Sequence, residues 1–312
     1  MSPQPPENPS GAGPVEQENS RLSGGQSIGR PVLRLMRSAL LIYLGVCVGM
    51  GCLQDKIIFP GAASQGDPTA VVTPRSTFEL IELRTRDGNR TFAVFSKASN
   101  RDLGVLPDAS RRPTAILFYG NGAFLAQTLG DVDFFRTMGI NVLAVEYVGY
   151  GMADGSPSER AFYATADAAY EHLIGRDDVD KNRILAIGMS IGSAAAIDLA
   201  SRQPLCGLIC FSPFTSLPAM GRYVMPWLPT SLILRYKFDN LTKIRSIRVP
   251  ILIVHGRQDR TVPFFMSEQL AAAAGGKVTL LAYDQGDHND IFEVGGKELE
   301  AQIAGFLQTF MP

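Results

Sequence analysis

Five residues, Gly188-Met189-Ser190-Ile191-Gly192, constrain this chain more than any others. They follow the apolar run Ile184-Leu185-Ala186-Ile187 and precede Ser193-Ala194-Ala195-Ala196-Ile197-Asp198-Leu199-Ala200, which reads as a helix. A strand that turns through G-x-S-x-G directly into a helix bends so sharply that its serine takes a strained backbone conformation. A Cβ at either glycine would collide with the neighbouring strand or helix. The hydroxyl then stands off the sheet beside the positive end of the helix. The same pattern recurs as Gly25-Gln26-Ser27-Ile28-Gly29, but no strand precedes it and its surroundings are Pro, Gly, Ser and Gln. Ser27 is therefore not expected to act chemically.

From Pro113 onward, apolar strands alternate with amphipathic helices. The pattern predicts strands at 113–119, 141–146, 183–187, 206–211, 250–255 and 277–283. Helices are expected at 124–138, 159–174, 190–202, 264–274 and 293–310. Such alternation implies an α/β fold: a mainly parallel sheet with helices on both faces. Upstream, the runs 77–83 and 90–95 flank Asp87-Gly88-Asn89, a hairpin signal that adds antiparallel strands at one edge. The alternation breaks over about 213–248, a stretch carrying Met220, Tyr223, Met225, Trp227, Leu232 and Tyr236.

A serine hydroxyl is a weak nucleophile unless a base takes its proton and a carboxylate orients that base. The three histidines are His172, His255 and His288. In the α/β-hydrolases, which this strand–turn–helix resembles, the chain order is serine, acid, histidine. His172 precedes the serine and lies in a helical pattern, which reads as a helix-face residue. His255 ends the strand Ile251-Leu252-Ile253-Val254 and reads as structural. Asp259 follows that strand where an acid belongs, and His288 follows the strand-like 277–283. Ser190, Asp259 and His288 are thus the expected catalytic residues. Asp284, Asp287 and Asp290 are second choices for the acid. The oxyanion donors are expected to be the backbone amides of Ile191, after the serine, and Asn121, in the loop Gly120-Asn121-Gly122-Ala123.

Together these segments resemble the α/β-hydrolase superfamily, and within it the membrane-anchored α/β-hydrolase-domain serine hydrolases, which include depalmitoylases and lipid hydrolases. The resemblance runs from about Leu53 to the C-terminus. Its carriers include Leu53-Gln54-Asp55-Lys56-Ile57-Ile58-Phe59-Pro60, Tyr119-Gly120-Asn121-Gly122, Glu146-Tyr147-Val148-Gly149-Tyr150-Gly151, Ser212-Pro213-Phe214-Thr215 and His255-Gly256-Arg257-Gln258-Asp259. Three positions, in two segments, depart from the pattern. Tyr119 stands for the usual histidine, and Glu146 and Val148 stand for Asp and Arg, which bears on the pocket wall and substrate range. The resemblance implies that 213–248 is a cap above the nucleophile.

The 312 residues carry a net charge of −1, so no pull toward nucleic acid is expected. There is no phosphate-binding glycine loop and no metal-ligand spacing of Cys or His, so no cofactor or metal is implied. Cys206 and Cys210, four apart on a strand, would be roughly 13 Å apart, beyond disulfide reach. Cys47 and Cys52 lie in an uncharged stretch, 38–53, preceded by Arg30, Arg34 and Arg37.

The expected organisation is a disordered tail over 1–30, a membrane anchor over 31–55, and a hydrolase domain over 56–312 with its cap at 213–248. The basic flank predicts a cytoplasmic N-terminus and a catalytic domain on the outer, extracytoplasmic side. A cleaved signal, a lipidated Cys52 and a buried or interfacial helix are the other readings of the apolar stretch. The expected activity is serine hydrolysis of carboxylic esters or thioesters with a lipid-like acyl group. The alternatives are a serine peptidase or amidase, and a non-catalytic binding protein on the same fold.

Overall fold

The computed structural model describes residues 1–4 and 29–312. Most of the tail and the Ser27 motif lie outside the described residues. The chain divides into two compact units, Met1–Val46 and Cys47–Pro312.

Helix α1, Gly29–Ile58, is long and apolar enough to cross a membrane by length and composition. The boundary expected at 55/56 lies in the last turn of this helix. The last turns of α1 are tied down by side chains. Gln54 is buried, its Oε1 accepts from the Arg235 N–H at 2.7 Å, and Asp55 holds the Arg235 guanidinium through two 2.9 Å contacts.

The strand–helix alternation then unfolds in order. Strands β1 (Glu79–Arg84) and β2 (Arg90–Ser96) form the hairpin. Next come β3 (Thr114–Phe118), α2 (Leu129–Thr137), β4 (Asn141–Val145), α3 (Glu159–Ile174), β5 (Ile184–Met189), α4 (Ile191–Arg202) and β6 (Gly207–Phe211). Three short helices follow, α5 (Leu217–Val224), α6 (Thr230–Ile233) and α7 (Asn240–Lys243). The chain closes with β7 (Ile251–Gly256), α8 (Phe265–Ala273), β8 (Val278–Tyr283) and α9 (Ile291–Gln308), which kinks at Gly296. The eight strands form one sheet in the order β1-β2-β4-β3-β5-β6-β7-β8, parallel from β4 to β8 and antiparallel at the β1–β2 edge.

The central strands read as continuous apolar runs because both faces are covered. Along β3, Ile116 and Phe118 join the core under α3 and α4, with Phe162, Ala166 and Ala194. Ala115 and Leu117 face the other way, into the core of α2 and α9, with Val132, Phe135, Leu299 and Ile303. The period of two along the strand thus serves two separate cores. One helix differs from its expected bounds. The reading 124–138 begins too early, because Leu125–Gln127 is a 3-10 turn whose first N–H is taken by the buried carboxylate of Glu146 at 3.1 Å.

Candidate active site

The turn after β5 is as tight as the glycine spacing requires. Ser190 has φ 52° and ψ −119°, a conformation that an L-residue adopts only when its surroundings impose it. A Cβ on Gly188 would lie 2.5 Å from the Ser193 Cα, and one on Gly192 would lie 2.2 Å from the Phe118 carbonyl oxygen. Two bare backbones are thus the condition for β3, β5 and α4 to meet at this point. The Ser190 N–H donates to the Phe211 carbonyl at 2.9 Å, which moors the turn to β6.

Loops after β7 and β8 bring the other two residues to the serine. His288 Nε2 lies 3.0 Å from Ser190 Oγ, and His288 Nδ1 lies 2.7 Å from Asp259 Oδ2. Hydroxyl, imidazole and carboxylate, three strand ends apart in sequence, form one hydrogen-bonded line. The two loops lock together behind it. The Gln258 N–H donates to the Gly286 carbonyl at 3.0 Å, and Asp287 accepts from the Arg260 N–H at 3.0 Å and the His288 N–H at 2.8 Å.

Asp259 is buried on all sides. Its Oδ1 accepts from the N–H groups of Thr261 at 2.8 Å and Val262 at 2.7 Å. Its Oδ2 faces both His288 Nδ1 and His255 Nε2, the latter at 3.0 Å. Burial alone would push this carboxyl up. The hydrogen bonds from His255, His288 and the Val262 N–H outweigh it and hold the group well below the usual carboxylate range. His255 Nε2 faces two acceptors, Asp259 Oδ2 and the Val262 carbonyl at 2.9 Å, so it carries a proton, and its Nδ1 lies 2.6 Å from Ser267 Oγ. The second-choice acids are elsewhere engaged. Asp284 pairs with Arg257, Asp287 with Arg260, and Asp290 accepts from the Asp287 N–H. His172 sits in α3, away from this cluster, 3.4 Å from Arg176.

No family model matches the chain. It is 31% identical to the uncharacterized protein Rv2307c of Mycobacterium tuberculosis over 267 residues, 86% of this chain and 92% of that one. It is 31% identical to protein bem46 of Schizosaccharomyces pombe over 222 residues, covering 67% and 71% of the two chains. It is 28% identical to the α/β hydrolase domain-containing protein WAV2 of Arabidopsis thaliana, covering 87% and 92%. Among solved structures, the fold matches an esterase of Pyrococcus furiosus with a TM-score of 0.61 at 20% identity, over 78% of this chain and 98% of that one. The chain belongs to the α/β-hydrolase superfamily.

In this α/β-hydrolase the loop after β3 approaches the serine from the opposite side. Gly120 and Asn121 line the same cleft as Ser190 and His288, a space of about 560 Å³. Among the described residues, neither the Asn121 nor the Ile191 N–H has a protein acceptor. Asn121 is fixed through its other groups. Its carbonyl accepts from the Gly61 N–H at 2.9 Å and the Tyr150 hydroxyl at 3.2 Å, and its side chain donates to the Ile58 carbonyl at 3.2 Å. Beneath the loop, Tyr119 donates a short hydrogen bond to Glu146, and the Tyr147 hydroxyl donates to the Tyr119 carbonyl at 2.8 Å. Glu146 is fully buried, and that burial raises its pKa above the ordinary value.

Two features were not read from the sequence. The first is the scaffold of Gly61, Tyr147 and Tyr150 under the loop. Its tyrosines lie in the quoted Glu146–Gly151 segment, but their target is visible only in three dimensions. The second concerns 213–248. No side chain of that segment lines the cleft around Ser190. The segment packs against residues 47–58, through Gln54 and Arg235 among others.

Proposed function

We propose that this protein is a serine hydrolase that cleaves carboxylic esters or thioesters through an acyl-enzyme on Ser190. The observation that carries the reading is the line from Ser190 Oγ through His288 to Asp259 Oδ2. In the proposed cycle, His288 Nε2 removes the hydroxyl proton as Oγ bonds to the substrate carbonyl carbon. Asp259 holds Nδ1–H and stabilises the imidazolium that forms. The amides of Asn121 and Ile191 receive the oxyanion. Their lack of protein acceptors and the pinned Asn121 carbonyl support that role, since preorganised donors reorganise least. The imidazolium returns its proton to the departing alcohol or thiol. His288 then takes a proton from water, which attacks the acyl carbon and frees Ser190.

A lipid-like acyl group is the favoured substrate. This rests on the apolar α1 and on exposed Tyr223, Val224 and Leu232 in the segment after β6. We read α1 as a single-pass anchor with Arg30, Arg34 and Arg37 on the cytoplasmic side and the hydrolase unit on the outer side.

The test is Ser190→Ala. It should abolish labelling by a fluorophosphonate and lower ester hydrolysis by up to ~10⁶-fold, with the melting temperature retained. Labelling that survives the substitution would overturn the assignment.

A further inference from the structure

Between the last turns of α1 and the segment after β6 lies a slot of about 200 Å³. Its walls are Met50 and Ile57 from α1, Met220 and Val224 from α5, and Ile233 and Leu234 at the end of α6. The two polar side chains in the wall are already engaged. Gln54 Nε2 donates to the Gly51 carbonyl at 2.6 Å while Oε1 accepts from Arg235, and Thr230 Oγ1 donates to the Pro218 carbonyl at 2.9 Å. A ligand in this slot finds no free hydrogen-bonding group, so the slot selects hydrocarbon. Its rim is open: Val224 is 62% exposed and Ile57 is 53% exposed.

The slot and the cleft share no lining residue, but one hydrogen bond links their walls. Ile58, in the wall of the slot, accepts the Asn121 side-chain hydrogen bond, and Asn121 lines the cleft beside Ser190. On the other side, Ser212 lines the cleft and Leu217, five residues on, lines the slot. The slot also sits directly after the apolar stretch 38–53 in sequence, where a bilayer would deliver acyl chains.

We propose that this slot binds the acyl chain of the substrate, with residues 50–58 of α1 forming one wall. The inference rests on the ester-hydrolase reading above and names its acyl site. It gives α1 a second role: the helix that tethers the protein also builds its specificity pocket. A single unbranched chain is the occupant, since the walls are apolar side chains and Ile58, in one of them, is hydrogen-bonded to Asn121 beside the cleft.

The experiment uses the full chain in phospholipid nanodiscs and a p-nitrophenyl ester series from acetyl to decanoyl. In the unsubstituted protein, kcat/KM should rise by up to roughly fourfold per methylene once the chain passes Asn121. Ile233→Trp fills the slot and should cut the decanoate-to-acetate ratio of kcat/KM at least tenfold. Ile233→Ala widens it and should move the maximum to longer chains, which keeps the test open should the tryptophan variant fold poorly. Partition into the bilayer favours long esters in all forms alike, so the variant-to-parent ratio isolates the slot. Acetate turnover with the parental chain-length profile in both variants would overturn the proposal alone. The same holds for an unchanged profile with altered particle size, which would assign the slot to a second copy. Turnover of no ester at all by the unsubstituted protein would overturn the hydrolase reading and the slot together.

Discussion

Replacing Asp259 by Asn tests the relay most sharply, because the surroundings dictate how the amide must sit. The oxygen at the Oδ1 position accepts from two fixed backbone donors, Thr261 N–H and Val262 N–H. An NH₂ group there would face both of them. At the Oδ2 position it faces His255 Nε2, which keeps the Val262 carbonyl as acceptor, and His288 Nδ1, which can change tautomer. The amide NH₂ should therefore point at His288. Its N–H then donates to Nδ1 and drives the imidazole proton to Nε2, where it blocks acceptance from Ser190. A wrong tautomer of this kind costs up to ~10⁴ in turnover, about 5 kcal/mol at 1.36 kcal/mol per tenfold. Steady-state hydrolysis of a p-nitrophenyl ester measures it, with a melting curve to establish the fold. Asp287→Asn is the control, since Asp287 accepts backbone N–H bonds and an Arg260 contact but does not touch the imidazole. It should cost less than about tenfold. Equal losses in the two variants, or a loss below a hundredfold for Asp259→Asn, would refute the reasoning.

Four other outcomes are expected. Tyr119→Phe removes the hydroxyl donor of a buried carboxylate, so it should destabilise the fold by about 1–3 kcal/mol in urea titration, and adding Glu146→Gln should recover part of that loss. Asp178 is held at about 2 by the hydrogen bond from Arg176, partly against its own burial. Its contribution is complete above the unfolded value of 3.8 and is lost as pH falls through about 2. Asp178→Asn should therefore lower stability by no more than about 1 kcal/mol at pH 7, given the pair's exposure, and by nothing measurable below pH 2. Full-length chain should stay with membranes through carbonate washing. A chain begun at Cys47 should melt higher than one begun at Lys56, which lacks Gln54 and Asp55; equal melting temperatures would detach α1 from the larger unit.

The sheet and the residues at its strand ends were legible because each depends on short-range rules. Apolar runs bounded by turns place β3 to β8 within about two residues. The spacing of Gly188 and Gly192 leads to Ser190 because no other residue tolerates the contacts with Phe118 and Ser193. Chain order alone separates His288 from His255. What sequence could not carry is packing between distant segments. The contact of Gln54 with Arg235 joins residues 181 positions apart. The seat of 213–248 rests on that contact and on others as remote, such as the N–H groups of Lys237 and Phe238 on Glu159.

The departures at Tyr119 and Glu146 illustrate that limit and change its meaning. Read separately, each is a residue that differs from the resembled pattern, and each bears on the pocket wall. In the fold they touch. Tyr119 donates to Glu146, and Glu146 in turn accepts the Leu125 N–H that ends the loop containing Asn121. A tyrosine reaches farther than a histidine, and its hydroxyl donates a hydrogen bond that stabilises, as an anion, a carboxyl that burial disfavours in that form. The two departures are thus one change in the support of the loop. They act on how firmly the loop carrying Asn121 is held, and because Tyr119 also lines the cleft beside Ser190, the same change reaches the cleft wall.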